Sequence, residues 1–348
     1  MERAVGLPDR IETETELDEL LSRPSPELIA FMRRLEGDLV ILGIAGKMGI
    51  TLGLLAARAL AAAGVRKRVY GVSRFSEAGA ETQLREGGVE PVRCDLLDRA
   101  AVDGLPLAPN VIYLAGRKFG TAGREELTWA SNTVLPANAC ERYRGSRIVA
   151  LSTGCVYPLV PTAGPGADEA TPPAPVGEYA QSCLGRERVF EYYSRRDRTP
   201  VCLIRLNYAV ELRYGVLHDL ATGILRGEPV ARSVPSFNAI WQGDANERIL
   251  RSLELCAAPP AILNLTGPGT VDVTATAETL GGLMQKSVCF SGAPGARAYL
   301  SDARRSLELF GPPRVALYRA LPWVAHWVTR GGRSLGKPTH FEVSDGRY

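Results

Sequence analysis

The run Leu39-Val-Ile-Leu-Gly43-Ile-Ala-Gly46-Lys47-Met48-Gly49, followed by an alanine-rich stretch to Gly64, limits the possible folds more than any other segment. An unbroken apolar run is the pattern of a strand buried on both faces. Glycines at three-residue spacing then lead into a helix predicted over 50–63. That order sets helix N-terminal N–H groups, and the positive end of the helix dipole, against a diphosphate. Glycine is what lets the backbone approach so closely. The spacing alone also fits an ordinary glycine-rich turn; its place between a strand and a helix is what points to dinucleotide binding.

From Asp38 onward strand and helix signals alternate. Strands are predicted over Leu39–Gly43, Arg68–Ser73, Pro91–Cys94, Val111–Ala115, Arg147–Ser152 and Val201–Leu206, with helices near 50–63, 77–87, 124–143 and 178–195. The expected fold class is α/β, a Rossmann-type doubly wound parallel sheet over 38–208. Before it, residues 1–37 read as a helical extension: Ser25-Pro26-Glu27 is a helix start, Leu28, Ile29, Met32 and Leu35 give one apolar face, and Gly37 ends it. After Tyr208, Pro229, Pro235, Pro259-Pro260 and Pro268 break the pattern into short elements, so 209–330 reads mainly as a smaller C-terminal substrate lobe and 331–348 as a tail.

Composition narrows the function classes. At 348 residues the chain can bury a large core, and 45% hydrophobic with 23% charged residues is ordinary for a globular protein. The net charge of +3 is small and dispersed, and the densest basic cluster, Arg195, Arg196 and Arg198, reads as a solvated helix end, which argues against a nucleic-acid partner. No apolar run reaches the roughly 20 residues that span a bilayer, and the N-terminus lacks a signal-peptide pattern, so a cytoplasmic protein with no membrane partner is expected. Seven scattered cysteines without C-x-x-C spacing read as reduced thiols, and three distant histidines give a metal centre little to draw on.

The second strand ends in Val72-Ser73-Arg74, with no acid where a free ribose 2′-hydroxyl is usually held. Arg74 and Lys47 instead offer two cations for a 2′-phosphate, so NADP is expected ahead of NAD.

At this point the chain, from about Asp38 to Arg330, resembles the extended short-chain dehydrogenase/reductases, the NAD(P)-dependent epimerase/dehydratase family. Besides the glycine loop, Cys94-Asp95-Leu96 is similar to that family's adenine-contacting segment, and Leu114-Ala115-Gly116 to its small-residue turn past the cofactor. Asn132 falls where the family has a structural Asn. Leu151-Ser-Thr153-Gly-Cys155-Val-Tyr157 resembles the Ser/Thr motif, Glu178-Tyr179-Ala-Gln-Ser-Cys183 the Tyr segment, and Arg205-Leu-Asn207 a stretch after the sixth strand. The resemblance implies that Tyr179 is the acid/base toward a substrate oxygen and Thr153 its hydrogen-bonding partner. It implies cofactor contacts from Gly43, Gly46, Lys47, Met48, Gly49, Ser73, Arg74, Asp95, Leu96, Leu114, Ala115, Gly116 and Tyr179. Substrate contacts are expected from Lys118, Thr153, Cys155, Asn207 and Trp241.

The departures matter as much. The family's lysine, four residues after the Tyr, is here Cys183. That lysine holds the ribose and lowers the Tyr pKa, and bringing a tyrosine from about 10 to about 7 corresponds to roughly 4 kcal/mol. Cys183 therefore reads either as a space-filling thiol or as a catalytic one, and Arg186 helps only if it reaches inward. Cys155 stands where sugar dehydratases carry an acid. Phe237-Asn238-Ala-Ile-Trp241-Gln242-Gly-Asp244 resembles a segment that elsewhere begins with an Arg contacting a nucleotide phosphate, an anchor missing here. The reading is an NADP-dependent oxidoreductase or epimerase acting on a secondary alcohol or ketone of a carbohydrate-like substrate. The alternatives are a cofactor-binding pseudoenzyme with a regulatory role and a nucleotide-sugar enzyme with a cysteine-containing site. A homodimer is expected through the helices near 124–143 and 178–195, whose Leu127, Val134, Leu135, Leu184, Val189 and Phe190 exceed what one sheet face needs.

Overall fold

The computed structural model describes residues 6–118, 123–343 and 346. Its centre is a sheet of parallel strands: β1 (Leu39–Leu42), β2 (Val69–Ser73), β3 (Glu90–Arg93), β4 (Asn110–Tyr113), β5 (Arg147–Thr153), β6 (Val201–Leu206) and β7 (Ala261–Leu265). The spatial order is β7-β6-β5-β4-β1-β2-β3, so the chain winds outward in both directions from the β1–β4 pair. Ligands of open α/β sheets sit beyond the strand C-termini at such a reversal.

Burial on both faces explains the apolar strands. In β1, Leu39 and Ile41 enter one core with Leu52, Leu55, Ile204 and Leu263, whereas Val40 and Leu42 enter the other with Val111, Tyr113, Phe190 and Leu203. Helices α2 (Pro26–Arg34) and α3 (Gly49–Ala63) cover the first face. Ser25 caps α2 as its sequence predicts, its hydroxyl accepting from Leu28 N at 3.0 Å, but α2 closes at Arg34 with Leu35 as its cap, short of Gly37.

Two elements correct the sequence reading. The region after Tyr208 is not wholly a lobe: β7, a short apolar run behind Pro259-Pro260, returns to the sheet and pairs with β6. The N-terminal extension holds a second helix, α1 (Glu14–Leu21), started by a reciprocal capping box between Thr13 and Glu16. Its Asp18 accepts from Arg213 at 2.8 Å, tying it to the lobe. The lobe has its own core, where Trp241 meets Trp323 edge-on at 5.6 Å beside helix Leu317–Thr329.

The C-terminal segment packs back over the lobe. Leu335 N donates to Arg213 O at 3.0 Å, Thr339 N to Asp219 at 2.7 Å, and the Phe341 ring lies 6.2 Å from that of Phe237. Among the described residues no helix is long and apolar enough to cross a membrane, and no His/Cys/Asp/Glu group could hold a metal ion.

Candidate functional site

The glycine loop divides its labour by geometry. Gly43 has φ +85°, and a Cβ there would lie 2.7 Å from Ala115 N; a Cβ on Gly49 would lie 2.2 Å from Ile44 O. Both are demanded by packing. At Gly46 the nearest atom to a Cβ is Gly43 O at 3.2 Å, and the residue faces a cleft of about 300 Å³ lined by Ala45, Lys47, Ile50, Thr51 and the 77–80 turn. Helix α3 opens here with no side-chain cap bond from Met48 and no acid in its first turn. An uncapped helix start beside a bare glycine suits a diphosphate.

On the β2–β3 side, Arg74 and Asp95 face each other at 4.0 Å with both side chains largely exposed. The Asp95 carboxylate accepts from Leu97 N at 3.0 Å, Leu96 is buried beneath it, and Ser73 closes β2. Lys47 does not join Arg74. Its ammonium is seated on the Tyr214 ring, 3.2 Å from the centroid. Burial, together with the ammoniums of Lys118 and Lys337, pushes it down to about 6, against the ring face that favours its charge. The expected two-cation clamp for a 2′-phosphate is therefore corrected: the backbone of the glycine loop turns Lys47 toward the lobe, leaving Arg74 to Asp95.

On the β4–β5 side a cleft of about 150 Å³ is lined by Lys47, Met48, Lys118, Ser152, Thr153, Cys155, Tyr179, Asn207 and Tyr214, among others. Thr153 ends β5, and its hydroxyl accepts from Cys155 N at 3.2 Å. Tyr179 lies in the first turn of α4 (Gly177–Asp197), with its side chain in hydrogen-bonding reach of Thr153. Burial raises the Tyr179 phenol well above 10, Cys183 and Cys155 add to this, and Arg186 and Thr153 oppose it. Lys118, after β4, sets its ammonium 5.8 Å from the Tyr179 ring centroid and donates to Thr339 O at 3.2 Å; burial lowers its pKa. Asn207 donates to Tyr299 O at 3.0 Å.

Cys183 stands behind Tyr179, fully buried, its thiol pushed up to about 11 by burial. It packs with Val156, Tyr157 and Ala167, as a space-filling residue would. Leu114, Ala115 and Gly116 follow β4, and Asn132, on a one-turn π segment Ala130–Val134, fastens the next residue: Arg117 N donates to its Oδ1 at 3.0 Å and its Nδ2 donates to Arg117 O at 3.1 Å.

Trp241 is corrected. It is 2% exposed and belongs to the lobe core against Trp323, because the strand Ile240–Trp241 turns it away from the cleft. Sequence reasoning missed Tyr214, which seats Lys47, and Glu187, which joins Ser152 and Arg205 of the quoted motifs into a buried trio. In that trio Arg205 Nη2 meets Glu187 at 2.7 Å and Ser152 Oγ donates to Glu187 at 2.6 Å. The i, i+8 step from Tyr179 to Glu187 on one helix was the available signal.

With this geometry in place, comparison supplies the relatives. A model of the NAD dependent epimerase/dehydratase family matches residues 39–215. Among solved structures, a mutant UDP-glucuronic acid 4-epimerase from Bacillus cereus, in complex with UDP-4-deoxy-4-fluoro-glucuronic acid and NAD, superposes with TM-score 0.70 at 16% identity, covering 84% of this chain and 99% of that one. The UDP-glucose 4-epimerase of Thermotoga maritima, with UDP-glucose, gives 0.69 at 17% over the same shares. That of Thermus thermophilus, with NAD, gives 0.68 at 20%, again covering 84% and 99%. No curated protein matches the sequence.

Proposed function

Because the chain belongs to the NAD dependent epimerase/dehydratase family, we propose that it oxidises or epimerises a secondary alcohol of a carbohydrate-like molecule, with Tyr179 as acid/base and Thr153 holding the reacting oxygen. The observation that carries this is the meeting of Tyr179 with Thr153 in a cleft that also contains Lys47 and Met48 of the glycine loop. The Gly46 cradle and the uncapped start of α3 fit a dinucleotide diphosphate, with Asp95 and Leu96 toward its adenine end and Leu114 to Gly116 along its other half. A bound nicotinamide supplies hydride acceptance and return. Tyr179, as its phenolate, would take the substrate hydroxyl proton as the carbon loses its hydride and, as the phenol, give it back in the reverse step. Thr153 Oγ1, already oriented by Cys155 N, hydrogen-bonds that oxygen and fixes its distance from Tyr179.

We take the unphosphorylated dinucleotide as the cofactor. A single exposed Arg74, paired with Asp95, is a weak 2′-phosphate site, and Lys47 lies elsewhere. The substrate is assigned to free sugars, sugar acids or polyols. Phe237 is buried against Phe341 where a nucleotide anchor would need a cation, and the cleft beside Tyr179 is small.

The test is a cofactor titration followed by a panel of free sugars, sugar acids and UDP-sugars, read by the absorbance of reduced nicotinamide and by product analysis. Tyr179→Phe should lower turnover by about 10²–10⁴ and leave cofactor affinity nearly unchanged. Full activity in Tyr179→Phe refutes the mechanism, and turnover confined to UDP-sugars refutes the substrate assignment. Tight cofactor binding without turnover across the panel would replace the enzyme by a cofactor-binding regulatory protein.

A further inference from the structure

Two buried guanidiniums lie behind the Tyr179 cleft, with one carboxylate between them. Glu187 is committed to Arg205, which meets it at 3.0 and 2.7 Å through Nε and Nη2, and to Ser152 at 2.6 Å. Arg186, 7% exposed, forms no ion pair among the described residues. Its Nη1 donates to Leu151 O at 2.8 Å, its Nη2 to Asn132 Oδ1, and its Nε finds no partner. Its hydrogen-bond acceptors are neutral oxygens; burial opposes its charge, while Cys183, Tyr113, Tyr179 and Glu187 favour that charge through space and keep it protonated. One of its two acceptors does not depend on it. Asn132 Oδ1 already accepts from Arg117 N at 3.0 Å.

Its position is the informative part. A Cβ on Gly116 would lie 2.0 Å from Arg186 Nη2, so the guanidinium lies directly against the turn after β4. From there it acts on both Tyr179 and Cys183. The other groups around Tyr179 are Glu178, Cys183 and Glu187 on its own helix, Cys155 after β5, and Lys118 after β4. Burial lowers the Lys118 ammonium's pKa, whereas a guanidinium keeps its proton in any protein interior.

We propose that Arg186 supplies the fixed positive charge of this acid/base site, from one turn beyond Cys183, where the resemblance would put a lysine. It acts on Tyr179 and on the nicotinamide half of the cofactor through space, and is a positioning residue. The inference rests on the oxidoreductase reading above.

The test needs no substrate. Full-length wild type, Arg186→Met and Arg186→Lys are compared by melting temperature without cofactor, and by the ratio of the NAD+ to the NADH dissociation constant. Oxidised nicotinamide carries a positive charge that the reduced ring lacks, so removing a nearby cation favours NAD+. Arg186→Met should lower that ratio about tenfold, the scale of one unit charge acting across about 10 Å of protein. It should also melt close to wild type, since the desolvated charge and its two hydrogen bonds are lost together. Arg186→Lys should keep the ratio within about twofold. If Arg186→Met fails to fold, melts well below wild type or leaves the ratio unmoved, the arginine is a structural tie and the proposal is overturned. Wild type that binds neither NAD+ nor NADH would instead defeat the oxidoreductase reading itself.

Discussion

Substituting alanine at each glycine of the loop should separate the residue that serves the ligand from those that serve the fold. At Gly43 the added methyl would meet Ala115 N at 2.7 Å and Cα at 2.8 Å, on a backbone at φ +85°. Left-handed geometry costs about 1–2 kcal/mol and overpacking against main chain about 1–3 more. At Gly49 the methyl meets Ile44 O at 2.2 Å and Ile44 C at 2.7 Å, with no flexible side chain to move aside. Gly46→Ala meets only Gly43 O, at 3.2 Å, and projects into the cleft. Thermal unfolding of the three variants should therefore show Gly43→Ala and Gly49→Ala destabilised by about 2–4 kcal/mol. Gly46→Ala should stay within about 1 kcal/mol of wild type, because alanine also restricts the unfolded chain. Calorimetric titration with NAD+ should show Gly46→Ala weakened at least about tenfold, since a methyl group stands where the diphosphate must approach. Wild-type affinity in Gly46→Ala, or a melting temperature as low as that of Gly49→Ala, would show that the loop's bare face is not the cofactor site.

Further outcomes follow from the charges and surfaces. Lys47 has a folded pKa near 6 against an ordinary 10.5, so the unfolded chain binds a proton that the folded one refuses between those values. Relative to Lys47→Met, the wild-type stability should fall as pH drops from about 10 to about 6 and level off below, by denaturant titration across pH; a flat difference would show that Lys47 keeps its charge. Arg205→Met leaves Glu187 buried with Ser152 as its remaining partner and should cost about 3–5 kcal/mol, most of it recovered when Glu187→Gln is added. Of the residues expected at a dimer face, Phe190 is ruled out by its burial against Tyr113, while Val134 stays exposed; Trp129 and Tyr192, not among those expected, are exposed as well. We retain a dimer through this face, to be abandoned if light scattering at micromolar concentration gives a monomer mass.

How much of this was legible depends on whether the signal is local. The strands carried theirs in their own residues, because burial on both faces forces unbroken apolar runs such as Leu39-Val-Ile-Leu, and the helix start at Ser25-Pro26 carried its cap. The β7 run Ala-Ile-Leu-Asn-Leu carried the same kind of signal, but the prolines around it suggested a broken lobe, and pairing with β6 won. Helix α1 carries its own local signal, the capping box Thr13-x-x-Glu16, outside the alternating region. Lys47 and Trp241 failed for another reason. Their residue types suit a phosphate clamp and a sugar platform, but direction is set by the backbone that presents them. Tyr214 draws Lys47 to the lobe, and Trp323 takes Trp241 into a core.

The site's electrostatics belong to this second kind, because its charges come from segments far apart in the chain. Lys47 sits in the glycine loop, Lys118 after β4 and Lys337 in the C-terminal segment, and both of the others push Lys47 down. The acids nearby are already engaged: Asp219 accepts from Thr339, and Glu77 pairs with Lys337 at 3.2 Å. An anion placed among these amines would offset their mutual repulsion and favour their protonated forms, and an uncapped helix start favours negative charge in the same sense. A sequence scan sees single lysines in ordinary surroundings. Only the winding of the sheet, which brings the C-terminal ends of β1, β4 and β5 together and lays residues 335–341 over the lobe beside them, gathers them into one place.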